Sequence, residues 1–116
     1  MITWSLRINI PPGKRDEVER ILRSLPGPAR VRGGCLAFRI YRDLEDPGAL
    51  ALVQEWASSD ALEAYLRSED YPKLLTVMEL ATEPPEISFD TIETREGLEL
   101  MVPARAARNT ILEPPA

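Results

Sequence analysis

The stretch from Gly33 to Trp56, GGCLAFRIYRDLEDPGALALVQEW, constrains this chain more than any other. Leu36, Phe38 and Ile40 alternate with Ala37, Arg39 and Tyr41. That is the period of two of a β-strand, whose successive side chains point to opposite faces. Asp46-Pro47-Gly48 then predicts a turn, because proline presets one backbone angle and glycine accepts a positive φ. The strand pattern resumes from Ala49 to Trp56, with Leu50, Leu52, Gln54 and Trp56 on one face and Ala51, Val53 and Glu55 on the other. A strand so nearly apolar throughout asks for cover on both faces, which one layer of helices does not supply.

The flanking segments supply the rest of a sheet. Ile2, Trp4, Leu6, Ile8 and Ile10 alternate with Thr3, Ser5, Arg7 and Asn9 in a first strand, stopped by Pro11-Pro12-Gly13. Val18, Ile21, Leu22 and Leu25 fall at helical spacing and predict a helix from Lys14 to Leu25, closed by Pro26-Gly27-Pro28. After Trp56, Ser58-Ser59-Asp60 starts another helix. Asp60 with Glu63 can form a capping box, Ser59 is the competing cap, and Leu62, Tyr65 and Leu66 give the apolar face. Ser68 is expected to cap a further helix, with Pro72 in its first turn, where a missing N–H costs nothing. Leu74, Leu75, Val77, Met78 and Ala81 carry that helix toward Pro84-Pro85. Glu86 to Thr94 reads as a strand with Ile87, Phe89 and Thr91 on one face and Ser88, Asp90 and Ile92 on the other. Glu96-Gly97 turns, and Leu98 to Val102 reads as a short fifth strand before a tail. The expectation is one domain over residues 1–97 and a C-terminal extension over 98–116.

The order is β-α-β-β-α-β with the second helix broken in two. This is the split-βαβ, ferredoxin-like α+β fold: an antiparallel sheet with helices on one face. Ala37, Ala51, Val53 and Ile92 are then left on the other face, and an exposed apolar patch of that kind usually marks an interface. A two-fold pairing of sheet against sheet would bury it, so a homodimer through the sheet faces is expected.

Composition removes several function classes. The net charge of −5, from 19 acidic and 14 basic residues, disfavours nucleic acid or an anionic membrane surface as partner, since both need a concentrated positive face. No apolar run approaches the roughly 18–20 residues of a membrane span and no signal peptide is evident. Cys35 is the only cysteine, so an intramolecular disulfide is impossible, and a reducing cytoplasm is the expected location. Histidine is absent altogether. That removes the commonest general base, the commonest zinc ligand and the usual axial haem ligand in one step. No glycine-rich phosphate loop, CxxC or serine-triad motif is present.

Taken together, Pro12-Gly13-Lys14, Gly34 to Asp43, Asp46-Pro47 and Val53 to Ser58 follow a recurring pattern. A strand ends in Pro-Gly-Lys before a helix; Gly-Cys-Leu-x-Phe-x-Ile-Tyr-Arg-Asp, Asp-Pro and Val-x-Glu-Trp-x-Ser follow in order. In this the chain resembles the antibiotic biosynthesis monooxygenase family over about Ile2 to Thr94. The resemblance implies a dimeric α+β barrel with a pocket in each subunit between sheet and helices. Some members oxidise phenols or quinols with O₂ and no cofactor, others in the superfamily cleave haem, and others have no known reaction. The haem-cleaving branch looks to an asparagine, a tryptophan and a histidine. Those positions are Leu6, Trp56 and Leu75 here, so two of three have lost the needed chemistry. Many quinol-type members carry a histidine where this chain has Tyr65, which can hydrogen-bond a phenol but is no base near pH 7, its ordinary pKa being about 10.

On this resemblance Trp56, Trp4, Tyr65 and Tyr71 are candidates to line a substrate pocket, with Gln54 as an orienting polar group and no cofactor. Each has a plainer alternative: Trp56 as a core tryptophan ending the sheet, Trp4 as core filling, and Tyr65 and Tyr71 as packing residues with solvated hydroxyls. Gln54 needs partners if buried, because an unpaired amide costs roughly 1–3 kcal/mol. Arg39 is expected on the dimer side, paired with Glu55 or Asp90. Cys35 has no histidine to activate it and reads as a buried small residue. Asp43, Glu45 and Asp46 read as a solvated turn rather than a metal site. Two functions follow: a cofactor-independent monooxygenase acting on a small phenolic or quinol-type substrate, or a non-catalytic dimeric module binding a small apolar or aromatic ligand or serving in assembly.

Overall fold

The structure, a computed structural model, describes residues 1–97. The strand expected over Leu98–Val102 and the tail lie outside the described residues. In chain order the elements are β1 (Ile2–Asn9), a 3₁₀ turn (Pro12–Lys14), α1 (Arg15–Arg23), α2 (Pro26–Arg30), β2 (Cys35–Arg42), β3 (Ala49–Trp56), α3 (Ser59–Leu66), α4 (Tyr71–Glu79) and β4 (Glu86–Thr91). The strands form one sheet in the order β2-β3-β1-β4, every neighbouring pair antiparallel. This is the expected ferredoxin-like arrangement.

The inner sheet face carries the core. Trp4, Leu6 and Ile8 of β1, Phe38 of β2, and Leu50, Leu52 and Trp56 of β3 are buried against Val18 and Leu22 of α1, Leu62 and Tyr65 of α3, and Leu74 and Val77 of α4. Each such aliphatic side chain contributes roughly 1.5–3 kcal/mol by leaving water. Acidic Asp16 and Glu17 in the first turn of α1, with Arg20 and Arg23 in its last, complement the helix dipole.

Four local expectations are corrected. Pro26-Gly27-Pro28 does not simply close the first helix; it opens α2, because proline is preorganised for a first helical turn. The cap of α3 is Ser58 rather than Ser59 or Asp60: its extended backbone (φ −150°, ψ 164°) lets Oγ accept the Ala61 N–H at 3.2 Å. Ser68 does not cap α4 directly; its Oγ accepts the Asp70 N–H at 3.3 Å, one residue before the helix. Gly48 turns the hairpin without a positive φ, which among the described glycines only Gly34 adopts. What Gly48 supplies is room, since an added Cβ would lie 3.2 Å from the Ile10 carbonyl oxygen.

The alternation in β2 is broken at its start. A register shift between Cys35 and Ala37 pairs Cys35 with Trp56 and turns Leu36 out to 55% exposure. Gly34, at φ +87°, sets up this bulge, and a Cβ there would meet that of Ala61 at 2.5 Å. Beyond the bulge, Phe38 and Ile40 return to the inner face as expected.

The outer face is mixed rather than contiguously apolar. Ala37, Ala51 and Val53 do lie on it, half-buried, but Thr3, Ser5, Arg7, Arg39 and Glu55 are interleaved with them. Glu55 pairs with Arg95 instead of Arg39, through two hydrogen bonds of 2.9 and 3.0 Å. Those bonds hold its carboxyl below the ordinary range, with the nearby charge of Arg39 adding to the effect. At the hairpin end, Arg7 bridges Asp43 at 3.2 Å and Asp46 at 4.0 Å. The backbone N–H of Glu45 and the Arg7 contact hold Asp43 below its usual value. The acidic turn is thus neutralised by an arginine, and among the described residues no group of three or more His, Cys, Asp or Glu is arranged to hold a metal.

Candidate functional site

Pairing register brings four residues from four strands into one row across the inner face. Phe38 lies opposite Gln54, Gln54 opposite Trp4, and Trp4 opposite Phe89. No sequence period reveals such a row, because it depends on which strand lies beside which. Above it, α3 sets Tyr65 among the rings. Its centroid is 5.1 Å from Trp56, 6.2 Å from Phe38 and 6.4 Å from Trp4, the last two edge-on. From the start of α4, Tyr71 reaches Trp4 at 6.0 Å. Phe89 stacks on Trp4 at 5.2 Å with planes 14° apart. All five sequence candidates, Trp4, Gln54, Trp56, Tyr65 and Tyr71, therefore meet in one cluster.

Phe89 is the member the sequence reading left out. Its place on the inner face was legible, but its role was not, since β4 is an edge strand whose six residues are all exposed. The helices do not reach over it. Ile87 and Phe89 remain 48% and 52% exposed although they face inward. Phe89 thus forms the outer wall of the cluster, between Trp4 and solvent.

The polar groups in the cluster divide sharply. Gln54, 1% exposed, accepts the Trp56 Nε1–H at 3.0 Å, so its partner is the tryptophan two residues on. By contrast, Trp4 Nε1 and the Tyr65 hydroxyl are buried with no hydrogen-bond partner among the described residues. A buried donor left unpaired costs roughly 1–3 kcal/mol. Two such groups within one aromatic cluster are unusual for plain core. Burial pushes the Tyr65 hydroxyl well above its ordinary pKa, Asp70 raises it further, and Arg32 works against both. Tyr65 accordingly stays a neutral O–H donor across the physiological range.

Asp70 escaped the sequence reading. Ser68-Glu69-Asp70-Tyr71-Pro72 looks like an ordinary helix start, and nothing in its spacing marks one carboxylate as special. In the fold Asp70 is 6% exposed, with Lys73 Nζ at 3.5 Å. A buried carboxylate is uncommon without a strong partner; this one acts electrostatically on the Tyr65 hydroxyl, and the cation paired with it is distant.

Cys35 is half-buried; burial pushes its thiol up, against the pull of Arg30, and Sγ lies 3.8 Å from the Ala37 carbonyl oxygen. A thiol so placed is a poor nucleophile. Leu75, where the resemblance puts the haem histidine, lies on the exposed side of α4. The inward positions of that helix, Leu74 and Val77, offer no ligand either. No helix among the described residues is long and apolar enough to cross a membrane.

Comparison with known proteins agrees with the fold. No curated protein matches the chain. A crystal structure of an antibiotic biosynthesis monooxygenase superposes with a TM-score of 0.73 at 21% identity, covering 81% of this chain and 100% of its own. A protein from Mycobacterium tuberculosis gives 0.75 at 23% identity over 83% and 98%. One from Pseudomonas aeruginosa gives 0.70 at 25% identity over 80% and 94%. These likenesses establish the architecture. The sequence pattern carries the rest, for residues 1–75 match the family model described as antibiotic biosynthesis monooxygenase, well over half of the chain. On that match, this chain belongs to the antibiotic biosynthesis monooxygenase family.

Proposed function

We propose that the cluster of Trp4, Trp56, Tyr65 and Tyr71, with Gln54 fixing Trp56, is the binding site for a small flat phenolic or quinol-type molecule, and that the protein oxidises it with O₂ and no cofactor. The observation that carries this reading is the pair of orphaned donors, Trp4 Nε1–H and Tyr65 O–H, buried among aromatic rings. A ligand oxygen lying between them would accept from both, while its ring stacks in the aromatic surround. The substrate oxyanion passes an electron to O₂, and the protein supplies a dry site that orients it. For an anthrone-type phenol, one oxygen atom ends as a new carbonyl on the methylene carbon. The other leaves as water with that carbon's two hydrogens.

Oxygen uptake across a panel of anthrone-type phenols and quinols tests this. Turnover by the wild type, reduced at least tenfold in Tyr65→Phe, is expected. Turnover unchanged in Tyr65→Phe sinks the assignment of the site.

A second reading has its own support. Trp56, Tyr65 and Gln54 are almost wholly buried, so the cluster is closed unless Phe89 or Tyr71 moves. A closed cluster suits a non-catalytic module that captures a small apolar ligand or serves in assembly. Ligand binding without oxygen uptake across the panel would select it. In either case we propose a homodimer through the outer sheet faces, where half-buried Ala37, Ala51 and Val53 sit beside exposed Tyr41. A monomer-sized scattering mass at micromolar concentration would refute the dimer. A reducing cytoplasm suits the single free thiol.

A further inference from the structure

We propose that Asp70 is the proton acceptor of this site, taking the hydroxyl proton of a bound phenol whose oxyanion is then held by Tyr65 O–H and Trp4 Nε1–H. The inference rests on the aromatic cluster being the ligand site, and supplies what that reading lacks, a base. In a chain without histidine the base has to be a carboxylate, an amine, a thiol or a phenol. The groups that act electrostatically on the Tyr65 hydroxyl are Asp70 and Tyr71 at the start of α4, Arg32 before β2, and Cys35 at its first residue. Arg32 cannot accept a proton, and the Cys35 thiol is pushed up by burial and stays protonated. Tyr71 is itself a phenol and no stronger a base than the ligand. Asp70 is the one anion of the set.

Its placement suits the role. Asp70 directly precedes Tyr71, whose ring lies 6.0 Å from Trp4. Its backbone N–H is taken by Ser68 Oγ at 3.3 Å, which fixes the residue ahead of α4. The carboxylate itself does not cap the helix. Among the described residues the cation that meets it is Lys73, half-exposed, with Nζ 3.5 Å away, too long for a strong charge-assisted hydrogen bond. A carboxylate this weakly engaged keeps lone pairs open to a ligand hydroxyl. The step balances within the site: the phenol O–H bond breaks, an Asp70 O–H bond forms, and the negative charge moves from the carboxylate to the ligand oxygen. There two donors that otherwise lack partners receive it.

Transfer inside the site has a signature that ionisation to solvent lacks: the proton count does not change, so the extent of transfer is independent of pH. The experiment uses the full chain and a mononitrophenol, whose anion absorbs in the visible and whose acidity lies between a carboxylic acid and an ordinary phenol. Wild-type protein is expected to show the anion band of the bound probe at constant intensity from about pH 5 up to the probe's own ionisation. Asp70→Asn is expected to bind within about threefold of wild type, but its band should titrate with pH. Lys73→Gln, at a half-exposed position, should strengthen the pH-independent band by removing the cation that favours the ionised carboxylate. A pH-independent band persisting in Asp70→Asn, or a wild-type band that titrates, overturns the role of Asp70 while leaving the site intact. Failure of the wild type to bind the probe sinks the site reading, and this one with it.

Discussion

The two faces of the same sheet handle their polar groups in opposite ways. On the outer face the charges pair, Glu55 with both nitrogens of Arg95 and Arg7 with Asp43 and Asp46, and only the small Thr3 hydroxyl is buried without a partner among the described residues. On the inner side, Trp4 Nε1 and Tyr65 O–H are buried and unmatched among the described residues, and the buried Asp70 is met by a distant lysine. A polar group open to water can stay unpaired at little cost, because water completes it. A buried face cannot, since each unpaired group costs roughly 1–3 kcal/mol. Unmet demand on the costly face is therefore the informative one, and it lies where the rings converge.

Substitutions can break or sharpen this contrast. The largest effect is expected from Trp56→Ala, which empties the centre of the inner face and should cost about 3–5 kcal/mol in urea unfolding. A loss near 1 kcal/mol would mean that the ring packs loosely and is not core at all. Next, Gly34→Ala should cost about 1–3 kcal/mol, because it places a side chain at positive φ and against Ala61. An unchanged midpoint would show that the bulge, and hence the inward turn of Cys35, does not depend on glycine.

Tyr65→Phe should leave stability at neutral pH unchanged or raised by up to about 1 kcal/mol, since it deletes a hydroxyl with no partner. A loss above 1 kcal/mol would show that the hydroxyl is satisfied and would weaken the claim on this face. The same variant carries a pH test. Burial raises the folded pKa of Tyr65 above its unfolded value, so the neutral phenol's contribution is complete below about pH 10 and is lost as pH rises beyond it. Wild type should therefore lose stability above about pH 10 more steeply than Tyr65→Phe.

The smallest effect belongs to the outer face. Arg95→Ala should cost at most about 1 kcal/mol, with the loss shrinking as salt is added, because the pair is largely solvated. The folded pKa of Glu55 is depressed, so its contribution is complete above about pH 4.3 and is lost as pH falls through the lower folded value. An acid limb unchanged in Arg95→Ala would show that the pair adds nothing to stability.

The row Phe38-Gln54-Trp4-Phe89 shows how far the sequence could be read. Phe38, Gln54 and Trp4 each announce an inward side by the period of two. That they lie side by side is decided by the strand order β2-β3-β1-β4, which joins residues far apart in the chain. Leu36 misled for a local reason: the bulge after Gly34 shifts the register by one, and a single-residue shift reverses a side chain's face. Ser58 was passed over as the cap because the capping residue is chosen by where β3 stops being extended, not by the spacing of acids.

The sequence by itself determined the order of the strands and main helices, the ferredoxin-like class, the inner-face residues of β1 and β3, and the loss of histidine chemistry. These follow from periodicity, turn residues and residue types, all local properties. Only the tertiary structure decided that Gln54 is occupied by Trp56, that Trp4 and Tyr65 keep donors unpaired among the described residues, and that Asp70 is buried. Hydrogen-bond satisfaction and burial are properties of neighbours in space. Folding alone brings β1, α3 and the start of α4 to one point.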